Sequence, residues 1–196
     1  GWTSDDTDAA ERVKIQYGTS MCYPVSSMGS HVSVVPNHQL NRKTPLHTRA
    51  NVAYFGTFGY ELDLNKLSDE EISEVKQQIT FMKEYRDLIQ FGTFYRLKSP
   101  FEGNETVWMT VSEDKKTALV FWYRERNVVN ADFTRVRLQG LDPDLIYRNE
   151  YNGTENYGDE LMNLGLLTTD CTAGEPTSED EPCTDYESRI YVLTAK

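Results

Sequence analysis

Three aspartates stand close together near the start of the sequence, where residues 2–8 read Trp-Thr-Ser-Asp-Asp-Thr-Asp. A carboxyl group in such a cluster can act as a general acid/base, and cleavage of a glycosidic bond with retention uses two carboxyl groups about 5 to 5.5 Å apart. The same residue types also cap helices, because their oxygens accept hydrogen bonds from the free amides of the first turn. On spacing alone a helix cap is the commoner explanation, and the residues leave both interpretations open.

Other reactive side chains do not form recognisable sites. His31, His38 and His47 lack the spacing of metal ligands, and His38 is most simply a loop histidine bonded to the backbone. Ser26 and Ser27 lack the Gly-x-Ser-x-Gly pattern of an activated nucleophile. We therefore expect no metal and no cofactor.

The first half of the chain alternates helical periods with short apolar runs, as βα units do. The pattern predicts helices over residues 7–17 and 45–54, and strands over residues 30–35 and 58–63. A longer helix is predicted to begin after Ser68, which forms a capping box with Glu71, and to end at Gly92. The motif at residues 2–8 thus lies between a strand-like entry and a helix.

After Gly92 the period changes from helical to alternating, which predicts a domain boundary there and a division into residues 1–92 and 93–196. A hairpin is predicted from residues 107–112 and 117–123, with further strands over 133–138, 145–151 and 189–194. Several short strands separated by turns indicate a small antiparallel β-sandwich. Trp108, Trp122, Tyr123 and Tyr191 occupy strand positions, for which core packing is expected.

The net charge of −11 and the pI near 4.7 argue against nucleic acid or an anionic membrane as a partner, since both attract clustered Lys and Arg. No apolar run reaches the roughly 20 residues that span a bilayer. A neutral, hydroxyl-rich ligand fits the composition better. Because the sequence begins with Gly1 directly before a dense motif, we interpret the chain as a segment of a larger protein.

Cysteine usage and two acceptor triplets favour a secreted protein, with a cytoplasmic one as the alternative. A disulfide between Cys171 and Cys183 could close the polar loop between them, which leaves Cys22 as a free buried thiol. Asn104 and Asn152 each begin an Asn-x-Thr triplet and are candidate sites of N-linked glycosylation.

Several stretches in the same order along the chain resemble glycoside hydrolase family 36 α-galactosidases. They lie at residues 2–9, 15–20, 28–39, 55–63, 101–106 and 158–163. The resemblance implies an α/β part followed by an all-β part: the last βα units of a (β/α)8 TIM barrel in residues 1–92, and a C-terminal antiparallel β-sandwich domain in residues 93–196. It also implies hydrolysis, by double displacement, of terminal α-linked galactose from oligosaccharides such as melibiose and raffinose.

Carried onto this sequence, the resemblance makes Asp5 the acid/base, with Asp6 as the fallback for that role or as a substrate-binding residue. Trp2 is expected to form one wall of the galactose pocket, and Asp8 is expected to cap the helix. The nucleophile belongs to a Lys-Trp-Asp motif that this chain lacks, so the remainder of the enzyme upstream is an implied partner and the segment alone is expected to be inactive. A homo-oligomer is also expected.

Two alternatives remain open at this point. The same fold could transfer galactose to another sugar, as raffinose and stachyose synthases that look related do. Residues 93–196 could instead form a non-catalytic carbohydrate-binding or structural β-domain.

Overall fold

The computed structural model describes residues 1–128, 133–168 and 185–196, and the chain divides into two compact units, Gly1–Gly92 and Thr93–Lys196. The first unit is built from helices and a parallel strand pair, and the second from antiparallel strands. No described helix is long and apolar enough to cross a membrane.

The first unit has two βα repeats in which the strands are parallel. Its helices are α1 (Ala9–Thr19), α2 (Leu46–Ala53) and α3 (Asp69–Phe91), and its strands are β1 (Gly29–Ser33) and β2 (Thr57–Glu61). Short 3-10 helices cover Val25–Ser27 and Leu64–Lys66. The predicted order of helices and strands is confirmed, with element ends that differ by a few residues.

The longest helix, α3, begins as its sequence predicts. The Ser68 hydroxyl accepts from the Glu71 amide at 3.2 Å, and the Glu71 carboxylate accepts from the Ser68 amide at 2.9 Å. This reciprocal capping satisfies two donors that would otherwise lack partners in the first turn. At the other end, the Gly92 amide bonds the Leu88 carbonyl and strand geometry follows immediately.

The two faces of the β1–β2 pair have different roles, because successive side chains of a strand point to opposite faces. On the helix side, the Ser30 hydroxyl donates to Gln16 of α1 at 2.9 Å, and Val32 is fully buried. Phe58 stacks against Tyr54 with ring centroids 5.0 Å apart. The opposite face carries small and polar residues, namely Gly29, His31, Ser33, Thr57, Gly59 and Glu61. That polar face is where a hydrophilic ligand could be bound.

The second unit contains a six-stranded antiparallel sheet with the order β3-β4-β5-β10-β7-β8, and a separate two-stranded sheet formed by β6 and β9. The strands are β3 (Thr93–Lys98), β4 (Glu105–Val111), β5 (Thr117–Arg124), β6 (Arg135–Val136), β7 (Ile146–Asn149), β8 (Glu155–Tyr157), β9 (Leu166–Leu167) and β10 (Glu187–Ala195), with the short helix α4 (Gly158–Asn163) between β8 and β9. The predicted antiparallel β architecture is confirmed.

The four aromatic residues of the second unit that were expected in its core lie in its interior. Trp122 and Tyr191 belong to the apolar cluster on one side of the sheet, while Trp108 stacks on Phe121 on the other side with centroids 4.4 Å apart. Trp108, Trp122, Tyr123 and Tyr191 are all at most 2% exposed. Their predicted core position is confirmed.

One prediction about each unit is wrong. The strand expected over residues 133–138 is only two residues long, because the chain leaves the β6–β9 ladder and the Leu138 amide bonds the Leu161 carbonyl instead. Cys22 is exposed rather than buried, because it lies in the turn after α1, where its amide bonds the Thr19 carbonyl.

The predicted Cys171–Cys183 disulfide lies outside the described residues. Both candidate glycosylation asparagines are exposed. The Asn104 side chain makes two hydrogen bonds to the Arg126 backbone, at 2.7 and 2.9 Å. The Asn152 side-chain oxygen accepts from the Thr154 amide and hydroxyl at 3.1 and 2.7 Å. Glycosylation at either asparagine stays a prediction.

Candidate active site

The first residues of the chain run beside β1. The Gly29 amide donates to the Gly1 carbonyl at 2.9 Å, and the Thr3 hydroxyl donates to the Gly29 carbonyl at 3.2 Å. Ser4, Asp6 and Thr7 then line a pocket together with Ser33 and Glu61, the last residues of β1 and β2. Catalytic residues of (β/α)8 barrels lie at this carboxyl end of the strands.

Asp8 is a structural carboxylate. It is 2% exposed, and its Oδ2 accepts from the amides of Ala10 and Glu11, each at 3.1 Å, in the first turn of α1. The Arg42 guanidinium forms an ion pair with the same oxygen. The prediction that Asp8 caps the helix is confirmed.

Asp6 shapes the loop before α1. Its Oδ1 accepts from the Asp8 amide at 2.9 Å, and its own amide donates to the Ser4 hydroxyl at 3.0 Å. The side chain is half-buried and lines the pocket. Asp6 is thus placed where it could contact a ligand, while part of its hydrogen-bonding capacity holds the loop.

Asp5 differs from its two neighbours because its side chain is exposed. Its Oδ1 accepts a hydrogen bond from the indole Nε1 of Trp2 at 2.8 Å. Trp2 is 68% exposed, and its ring lies at a centroid distance of 6.4 Å from the His31 ring. Of the three carboxylates, Asp5 is the exposed one, and it lies between the pocket residues Ser4 and Asp6.

The base of the pocket contains a buried cation that sequence reasoning missed. Arg12 of α1 is 6% exposed, and it donates to the Gly29 carbonyl at 2.5 Å. Burial lowers the pKa of Arg12, while the negative charges of Asp6 and Glu61 oppose that shift. The sequence gives one indication of this position. Arg12 follows Asp8 by four residues, and residues four apart share one face of a helix.

His31 and Glu61 form a second part of the site that sequence reasoning did not assign. The His31 Nδ1 lies 3.9 Å from the Glu61 Oε2, and the two residues belong to adjacent strands on the polar face. His38, by contrast, is exposed in the loop after β1 and does not line this pocket. Within the described residues, no three His, Cys, Asp or Glu side chains are grouped closely enough to hold a metal ion.

Comparisons with known proteins agree on one family. The family model described as Melibiase matches residues 1–92, and the model described as the glycosyl hydrolase family 36 C-terminal domain matches residues 105–193. α-Galactosidase AgaA of Geobacillus stearothermophilus is 55% identical over 165 residues, which are 84% of this chain and 22% of that protein. α-Galactosidase 1 of Pediococcus pentosaceus is 46% identical over 194 residues, which are 99% of this chain and 25% of that protein.

The solved structures give the same result. A variant of the G. stearothermophilus enzyme AgaA in complex with raffinose superposes with a TM-score of 0.90 at 47% identity, covering 98% of this chain and 25% of that one. This chain spans about a quarter of the length of the relatives that it matches. The chain belongs to glycoside hydrolase family 36, within which it comprises the last βα units of the (β/α)8 barrel and the C-terminal antiparallel β domain.

Proposed function

We propose that this chain acts within a retaining α-galactosidase and supplies the acid/base carboxyl group, Asp5. The observation that carries the proposal is the position of Asp5, exposed at the carboxyl end of a parallel strand layer, next to a polar pocket. The similarity to proteins named α-galactosidase, one of them solved with raffinose, supports the substrate class. The second carboxyl group, the nucleophile, would come from sequence outside this chain.

In the first step, protonated Asp5 gives its proton to the glycosidic oxygen while the bond from that oxygen to C1 of galactose breaks. The nucleophilic carboxylate forms a bond to C1 at the same time, which yields a galactosyl ester and the free leaving sugar. In the second step, ionised Asp5 takes a proton from water as the water oxygen attacks C1 and the ester bond breaks. Two inversions at C1 give galactose with the original α configuration.

The second unit is not proposed as a sugar-binding module. The aromatic residues that the sequence singled out, Trp108, Trp122, Tyr123 and Tyr191, are buried in the sheet and its core and cannot offer a face to a sugar. Hydrolysis and transfer to a second sugar share the first step, and product analysis at high acceptor concentration separates them.

The test replaces Asp5 in the full-length protein. Asp5→Asn is expected to reduce turnover of raffinose by at least about a hundredfold, because general acid catalysis contributes a factor of 10² to 10⁴. Asp5→Ala, assayed on a galactoside with an activated leaving group, should be partly rescued by azide. Azide needs no base, and it would attack the ester from the side that the leaving group vacated, giving galactosyl azide with retained α configuration.

Asp6→Asn and Asp8→Asn are the matched controls, since each changes one carboxylate of the same motif. Near wild-type turnover by Asp5→Asn would contradict the assignment, and azide rescue of Asp6→Ala instead would move the acid/base role to Asp6.

The secreted location and the homo-oligomeric state stay predictions, which cell fractionation and light scattering of the full-length protein would test.

A further inference from the structure

The two carboxyl oxygens of Asp5 have different surroundings. Oδ1 accepts the hydrogen bond from the Trp2 indole at 2.8 Å, and the side chain as a whole is exposed. We infer that Trp2 is a positioning residue for the acid/base, which fixes Oδ1 as an acceptor and leaves Oδ2 as the atom that gives and takes the proton. This inference rests on the proposed function of Asp5.

The indole group suits this role because Nε1–H can donate a hydrogen bond but cannot accept one. The oxygen bonded to it must therefore accept in both protonation states of Asp5. When the carboxyl group is protonated, its proton is placed on Oδ2. The indole also cannot take that proton, so it does not compete with the glycosidic oxygen.

The Trp2 ring lies beside the sheet. His31, with its ring centroid 6.4 Å from that of Trp2, projects from the polar face of β1 over Gly59 of β2, where an added Cβ would lie 3.2 Å from the imidazole. The Glu61 carboxylate lies 3.9 Å from the other side of the same ring. Because β1 and β2 are in fixed register, the imidazole offers the indole a defined surface.

A positioning role predicts a loss that depends on the leaving group. Trp2→Phe keeps an aromatic ring but removes the N–H donor, so Oδ1 and Oδ2 become interchangeable. We expect kcat/KM for raffinose, whose leaving sugar needs protonation, to fall about tenfold, a fraction of the whole general acid effect. For p-nitrophenyl α-galactoside, whose leaving group departs with little protonation, the fall should be less than about twofold.

The measurement is the ratio of the two kcat/KM values in the full-length protein, with thermal unfolding used to show that each variant is folded. Thr3→Val is the matched control, since it removes a hydrogen bond of the same segment, to the Gly29 carbonyl, that does not involve Asp5. Any loss in Thr3→Val should be equal for both substrates. Trp2→His, which restores a ring N–H donor, should recover part of the raffinose rate.

A Trp2→Phe variant that loses activity equally on both substrates would overturn the inference and would make Trp2 a pocket wall alone. An unchanged raffinose rate would overturn it as well. The proposed function fails separately, because its test is the Asp5→Asn variant. If Asp5→Asn is inactive while the Trp2→Phe ratio equals the wild-type ratio, only the positioning role is wrong.

Discussion

The guanidinium of Arg42 forms an ion pair with the carboxylate of Asp8, whose side chain is 1% exposed. Removal of Asp8 takes away a buried ion-pair partner of Arg42, which keeps Glu11 at 3.7 Å, and leaves the amides of Ala10 and Glu11 without their acceptor. Because Asp8→Ala removes both the cap of α1 and this ion pair, we expect it to reduce the free energy of unfolding by about 2 kcal/mol. The thermal unfolding midpoint of the first unit is the measurement.

Asp5→Ala provides the contrast to Asp8→Ala, although the two residues belong to one motif. Asp5 is exposed, so its removal should change the free energy of unfolding by less than about 0.5 kcal/mol. Equal destabilisation by the two variants would contradict the division into a structural and a functional aspartate.

Glu105 connects three side chains of the second unit. Its Oε1 accepts from the Trp122 indole and the Thr134 hydroxyl, each at 3.0 Å, and its Oε2 pairs with Lys98. Glu105→Ala removes the acceptor of the Trp122 indole and the ion-pair partner of Lys98, and we expect a loss of about 2 kcal/mol of stability by chemical denaturation. Glu102→Ala, at an exposed neighbouring position, should be neutral, and equal losses in both variants would contradict the prediction.

Two glycines with positive φ make a matched pair. Gly140 has φ 75°, and a Cβ there would lie 2.3 Å from the Tyr95 hydroxyl oxygen, whereas Gly153 has φ 72° and open space around it. Gly153→Ala should cost about 1 to 2 kcal/mol, the left-handed backbone cost alone. Gly140→Ala should cost more because Tyr95 must also move, and the excess should shrink in a Tyr95→Leu background. A double-mutant cycle measures that coupling.

Alkaline pH should destabilise the first unit through Tyr60. Burial, with a smaller contribution from Glu74, raises the pKa of Tyr60 to about 12, and its hydroxyl donates to Gln78 at 2.8 Å. An unfolded tyrosine ionises with a pKa of about 10, so the unfolded state loses its proton first as pH rises. The stability contributed by the neutral hydroxyl is complete below pH 10 and falls as pH rises towards 12.

Tyr60→Phe should therefore reduce the slope of the unfolding midpoint against pH in the range from about 10 to 12. The midpoint measured by circular dichroism at each pH provides the test. An identical slope in the wild type and the variant would show that other groups cause the alkaline loss.

The isolated segment of residues 1–196 is expected to give no measurable turnover of an α-galactoside, because hydrolysis with retention needs two carboxyl groups and Asp5 is one of them. Among the described residues, β2 pairs with β1 alone, and an unpaired strand edge favours association. Light scattering should detect that association. Turnover by the purified segment would contradict the assignment of the nucleophile to sequence outside this chain.

Local patterns in the sequence determined the elements that depend on nearby residues. The Ser68–Glu71 capping box and the apolar stripe after it specify α3, since both act within one helix. The β4–β5 hairpin follows from the alternation of residues 107–112, the polar turn at 113–116 and the apolar run after it. The prediction of a strand over residues 133–138 is wrong. Val136 and Leu138 are buried in the same apolar cluster as residues of α4 and β9. An alternating pattern is the same whether apolar residues pack in this way or belong to a longer strand.

The motif at residues 2–8 shows the limit of the sequence most clearly. Its residue types specify a carboxylate cluster before a helix, and either a cap or an acid/base satisfies that pattern. Only the tertiary structure separates the roles, because Asp8 is buried against Arg42, which is 34 positions away, whereas Asp5 is exposed and bonded to Trp2. Likewise, Arg12 and Glu61 meet beside Asp6 through the packing of α1 on the strands. Such contacts join residues far apart in the chain, and burial and distance, which no local pattern contains, decide what each carboxylate does.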